Sequence, residues 1–147
     1  DGANVRHAMA GYSPSHYGWR TADELLITAE GPDKLLRYSL LSLKDGHFTD
    51  LPRNFLHKDG HPTFIDKDTF VSDTYPSRLG YQTLFVRNVN GEERNDVASF
   101  YLPSAFAGEK RCDLHPRLSA NCHYACVDIV QDGRRCMAVI PLAGDKA

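Results

Sequence analysis

The chain has 147 residues, 41% of them hydrophobic and 24% charged, with a formal net charge of -2. That is the balance of an ordinary soluble globular protein of one domain. No run of Lys and Arg offers an electrostatic footprint for nucleic acid, and no apolar stretch reaches the roughly 20 residues a membrane helix needs, so neither partner is implied.

The first residues, DGANVRHAMAG, lack a starting Met, a basic n-region and an apolar h-region, so as they stand they are not a signal peptide. The chain reads as a fragment or a processed product. From there a repeat sets in. His16, His61 and His115 are each followed three residues later by a bulky apolar residue, Trp19, Phe64 and Leu118. Strand-like runs come next: ELLITAE, DTFVSDT and HYACVDI. Each is followed by a second run (LLRYSLLSL, YQTLFVRNV, RRCMAVIPL) and then a glycine turn, with Gly46, Gly91 and Gly144 lying 30, 30 and 29 residues past their histidines. A fourth short run, HFTDL or RNDVASF, follows the first two turns, whereas the third unit stops almost at its turn.

No long helical stripe is present, and β-branched and aromatic residues alternate with polar ones between Gly, Pro and Asp clusters. Four short antiparallel strands in a unit of about 45 residues describe a propeller blade. The fold expected is therefore all-β: a β-propeller portion of three four-stranded blades at about 14–53, 59–102 and 113–143, the last without its outer strand. Since propellers have about four to eight blades, the chain is expected to be part of a larger propeller or to associate as a homodimer. Residues 2–10 could supply the missing strand. The connection YLPSAFAGEKR is longer than a blade-to-blade link requires and reads as a rim loop. An irregular open β-sandwich with fortuitous histidine spacing is the alternative.

Cysteines 112, 122, 126 and 136 form no Cys-x-x-Cys pair and read as small core residues. Cys126 and Cys136, on neighbouring predicted strands, could pair in an oxidising compartment. The compartment stays open, with the cytoplasm favoured.

The first strand of each propeller blade lines the central channel, so histidines in one register should converge on a common axis. Period-two geometry puts Asp113 on the strand face of His115, giving two potential metal ligands from one strand, and Asp59 precedes His61 in the same way as a reserve ligand. Mixed imidazole and carboxylate ligation suits Mn²⁺, with Zn²⁺ and Fe²⁺ as alternatives. His7, His47, His57 and His123 read as solvent-facing, Asp66, Asp68 and Asn121 as turn residues, and Trp19, Phe64 and Phe85 as core. The Asn-Gly pair at 90–91 is a hairpin signal. Phosphate loops, nucleophile elbows and zincin helices are absent from the sequence.

The segments SHYGW (15–19), DGHPTF (59–64) and RCDLHPRL (111–118) resemble the C-terminal blades of the oligogalacturonate lyase family and its TolB-like propeller relatives, over nearly the whole chain. The resemblance implies a bacterial protein of polysaccharide metabolism, a propeller with Mn²⁺ in its channel, and cleavage of acidic uronate oligosaccharides by β-elimination. It places metal-ligating histidines at His61 and His115 and the proton-abstracting histidine at His16. Two positions depart: Asp113 stands for the third metal histidine, and Lys110 for a ligating glutamine. The blade bearing the family's assisting arginine is not represented. Arg20, Arg111 and Arg117 are the candidate clamps for sugar carboxylates. Together these readings give a metal-dependent lyase with ligands His61, Asp113 and His115 and base His16. The rival is a non-catalytic propeller module that binds glycan or protein, and a third reading makes His16 a fourth ligand.

Overall fold

The computed structural model describes residues 3–5, 7–52 and 59–142. Among the described residues, eleven strands form three separate antiparallel sheets, none closed into a barrel. The first holds β1 (Ser13–Thr21), β2 (Glu24–Glu30), β3 (Leu36–Ser42) and β4 (Phe48–Asp50) in sequential order. The second holds β5 (Thr63–Phe64), β6 (Thr69–Asp73), β7 (Tyr81–Asn88) and β8 (Arg94–Tyr101). The third has three strands, β9 (Arg117–Leu118), β10 (Tyr124–Gln131) and β11 (Arg134–Pro141). The expected runs are thus strands, arranged as two four-stranded meanders and one that ends a strand short. The predicted turn glycine Gly144 and His57 lie outside the described residues, as do the predicted blade ends at 53 and 143.

Alternation along each strand distributes side chains to two faces, and the sheets stack through them. Leu26, Tyr38 and Leu40 of the first sheet meet Phe64, Phe70 and Phe85 of the second, with Leu51 and Val89 closing the layer. On the other side of the second sheet, Val71, Leu84 and Val86 meet Ala125, Val127, Ile129, Ala138 and Ile140 of the third. A buried hydrogen bond between the Tyr38 hydroxyl and Ser72 Oγ, 2.9 Å long, ties the first two sheets together within their apolar layer. Burial raises the Tyr38 hydroxyl well above the usual phenol range, against the opposing effect of its bond to Ser72.

Several sequence expectations are corrected. Trp19 is not core: it is 56% exposed beside Tyr17, on the face of the first sheet that points away from the second. Phe85 is buried and Phe64 packs against the same cluster, as expected. Residues 3–5 and 7–10 form no strand, so they do not complete the third sheet; Met9 instead packs over Leu25, Ile27 and Leu41 on the outer face of the first. Cys126 and Cys136 sit on paired strands, but Cys126 lies opposite Val139 and Cys136 opposite Ile129, three places apart and on opposite faces. They cannot bond, and all four thiols are free. The connection from 101 to 111 contains two short 3-10 turns, Ser104–Phe106 and Gly108–Lys110, and borders a cavity of about 350 Å³ with residues 76–80.

The first strands of neighbouring sheets approach closely where β1 passes the chain entering β5. A Cβ at Gly18 would fall 2.4 Å from the Pro62 carbonyl oxygen, a backbone atom that cannot swing aside. Gly18→Ala is therefore expected to force the two sheets apart and to lower stability by about 1–3 kcal/mol, read as a lower urea midpoint with an unchanged slope.

Candidate functional site

The histidines converge. His16 lies on β1, on the face it shares with Gly18 and Leu26 that looks toward the second sheet; His61 and His115 each lie two residues before the first strand of their sheets. The ring centroids of His16 and His61 are 4.1 Å apart and those of His61 and His115 are 3.8 Å apart. All three border one groove of about 300 Å³, together with Ser15, Thr63 and Arg117.

Their placement follows from carboxylates that the strands deliver beneath them. Asp73, at the end of β6 and 1% exposed, accepts hydrogen bonds from the backbone N–H of His61 (2.8 Å), from its Nδ1 (2.9 Å) and, across the sheet gap, from the backbone N–H of His115 (3.1 Å). One buried side chain therefore holds two successive units in register. His115 has φ of +43°, a left-handed conformation uncommon for a residue with a side chain. The bond from its N–H to Asp73 helps hold it there. Burial, followed by the neighbouring His61, pushes the His115 imidazole below its ordinary value, which favours the neutral form that binds metal.

One potential ligand atom each from His61, Asp113 and His115 lie within 4.8 Å of one another, the only such group of three or more among the described residues. His16 is outside it, so the fourth-ligand reading of His16 has no geometric support. Because His61 Nδ1 is engaged by Asp73, its Nε2 is the nitrogen left for an ion, the arrangement by which carboxylates orient metal-binding histidines. The donor set, two imidazoles and a carboxylate, fits a borderline divalent cation. Asp113 already meets one cation: Arg111 Nε donates to its two oxygens at 2.7 and 3.0 Å, and Gln82 approaches Oδ1 at 3.4 Å. The Arg111 guanidinium also lies 4.3 Å over the Tyr75 ring.

Asp59 is not part of this group. Its Oδ2 lies 3.0 Å from His16 Nδ1, and Thr28 and the backbone N–H of Gly60 donate to Oδ1. The reserve ligand is thus a partner of the first histidine.

The arginines separate. Arg111 stands at the cluster and Arg117 at the groove, where it pairs with Asp128 at 3.2 Å. Arg20 is elsewhere: it bonds Glu24, Asp68 and the Lys67 carbonyl, each at 2.8 Å, as a link between the first two sheets rather than a substrate clamp. Lys110 is exposed on a 3-10 turn, where its carbonyl accepts from Arg135. His7, His47 and His123 are exposed as expected, and Asp66 and Asn121 cap their turns by accepting backbone N–H bonds. Sequence reading missed Asp73, Tyr75, Gln82, Ser15 and Thr28. A signal for two of them was present: Thr28 and Asp73 each follow their histidine by 12 residues.

The chain matches no family model and no curated protein.

Asp73→Ala leaves two backbone N–H groups and one ring without this acceptor. It is expected to cost about 3 kcal/mol or more, a larger loss than Thr28→Val, with both measured by chemical denaturation.

Proposed function

We propose that the chain is a metal-binding portion of a β-propeller that acts on acidic, uronate-containing oligosaccharide as a β-eliminating lyase. The observation that carries this reading is the His61–Asp113–His115 group, flanked by a third imidazole that is paired to a carboxylate instead of joining it. The resemblance of SHYGW, DGHPTF and RCDLHPRL to oligogalacturonate lyases supports the same assignment.

In this reading His61, Asp113 and His115 would hold a divalent ion, Mn²⁺ as the resemblance implies, which would supply positive charge to the substrate carboxylate and so stabilise charge developing there. The work of the chain itself is done by its polar groups. His16, bordering the same groove, takes the proton from the carbon next to the carboxylate. The electron pair of that C–H bond forms the new carbon–carbon double bond, the β carbon–oxygen bond breaks, and the departing oxygen takes a proton from solvent. Arg111, stacked on Tyr75 and only partly buried, and Arg117 at the groove wall are the cations placed to meet sugar carboxylates.

The three sheets are read as consecutive blades. Support comes from their sequential meanders, from face-to-face packing through two apolar layers, and from first strands that bring equivalent histidines together. The end faces carry exposed apolar side chains: Tyr17 and Trp19 on one, Tyr124, Met137 and Val139 on the other. Further blades, from the rest of a larger ring or from a second copy, cover them in this reading. The isolated chain is accordingly expected to sediment as a dimer or larger species; a monodisperse monomer would count against the ring.

Purified protein is expected to retain Mn²⁺, Zn²⁺ or Fe²⁺ at one ion per chain by elemental analysis, and His115→Ala to lose it. Oligogalacturonate digestion should raise the ultraviolet absorbance of unsaturated uronate. Bound metal without that absorbance change would favour the binding-module alternative, and absence of metal would remove the reading altogether.

A further inference from the structure

The three units use their carboxylates in two different ways, and the difference points to a role for Asp59. In the second unit Asp73 alone serves both the backbone N–H and the ring of His61. In the first unit these tasks are divided. Thr28, at the matching position, accepts from the backbone N–H of His16 at 3.1 Å, while the ring is met by Asp59 from the start of the next unit. Thr28 then donates to Asp59 Oδ1 at 2.5 Å, so backbone and ring are fastened through one connected network. In the third unit the matching residue is Val127, which can do neither.

Asp59 is well secured. Ser15 Oγ–H donates to Oδ2, Tyr75 O–H approaches the same oxygen at 3.4 Å, and the backbone N–H of Gly60 donates to Oδ1 at 3.0 Å. Each of these contacts, together with that from Thr28, brings an O–H or N–H to the carboxylate, so its oxygens act as acceptors throughout. An ionised carboxylate accepts only. A bare Nδ1 lone pair 3.0 Å from it would be repelled, so the ring nitrogen facing Asp59 carries the proton, and Ser15 Oγ, also 3.0 Å from Nδ1, fits as a second acceptor.

We propose that Asp59 is a positioning residue that fixes His16 as the Nδ1–H tautomer and thereby leaves Nε2 as the atom that accepts the substrate proton. The inference rests on the lyase reading for its last step only; the pairing and tautomer stand on geometry. Asp59 touches no substrate in this account. It acts through His16 by choosing which nitrogen is free, by fixing the ring plane, and by offsetting the charge of the imidazolium formed when the proton arrives.

The test uses the full chain and long-range proton–nitrogen correlation spectra of the imidazoles above neutral pH, with His16 signals identified by their loss in His16→Gln. Wild type should show His16 as the Nδ1–H form. Asp59→Asn, whose amide can donate to Nδ1, should move His16 toward the Nε2–H form while metal content stays unchanged. Where oligogalacturonate cleavage is present, the same variant should lower kcat by about 10²- to 10⁴-fold with little change in KM, and Asp59→Glu should recover part of the loss. A wild-type Nε2–H tautomer overturns the proposal, as does a tautomer that Asp59→Asn leaves unmoved. If Asp59→Asn does not fold, the wild-type tautomer decides. A swapped tautomer in a chain with no lyase activity upholds the positioning and discards the lyase reading alone.

Discussion

Much of the arrangement hangs on one buried carboxylate. Asp73 accepts from two backbone N–H groups and one imidazole, and those donors belong to consecutive units of the chain. A negative charge under an apolar layer is costly unless its lone pairs are filled. Here the filling is done by the groups that the site needs to hold still. Satisfying the charge and placing the histidines are the same event. Apolar packing brings the sheets together, but such packing is non-directional and would tolerate small slides; directed bonds to Asp73 set where His61 and His115 stop.

Repetition supplies the framework and departures from it supply the site. Three units share a histidine within or just before the first strand, yet each histidine is supported differently: His16 by Thr28 and Asp59, His61 by Asp73, and His115 by the carboxylate of the preceding unit. Asp59 and Asp113 occupy equivalent places two residues ahead of their histidines. One pairs with an imidazole and the other joins a group of potential ligands, with Arg111 as its counter-charge. Three similar imidazoles therefore acquire three environments, which is how one residue type can be given different chemical tasks.

The strands were readable in the sequence because period-two alternation survives without any knowledge of partners: ELLITAE is β2 residue for residue. Histidine convergence was readable for the same reason, since equal spacing within equal units puts side chains at equal heights. The support beneath the histidines was not. Asp73 meets donors 12 and 42 residues away, and such a bond leaves no local pattern. Trp19 shows a second limit, because alternation assigns a residue to a face but does not say whether that face is covered. Cys126 and Cys136 show a third. Their strands were identified as neighbours, but the register that sets them on opposite faces is decided by the Asp132–Gly133 turn and the pairing it starts, with both turn residues at positive φ. Arg20 was selected as a cation able to meet a sugar carboxylate, while the fold commits it to Glu24, Asp68 and the Lys67 carbonyl, away from the groove.

The conformation of His115 carries a cost that selection would have to maintain. Glycine or asparagine would sit more comfortably at φ of +43°, so a drift toward either would relax the backbone while deleting the ring whose centroid lies 3.8 Å from that of His61. Lineages that no longer need the imidazole should shed it readily at this position, whereas those that keep it accept a slightly less stable molecule in exchange for its chemistry. The identity of this single residue across descendants would therefore serve as a marker of whether the groove is still in use.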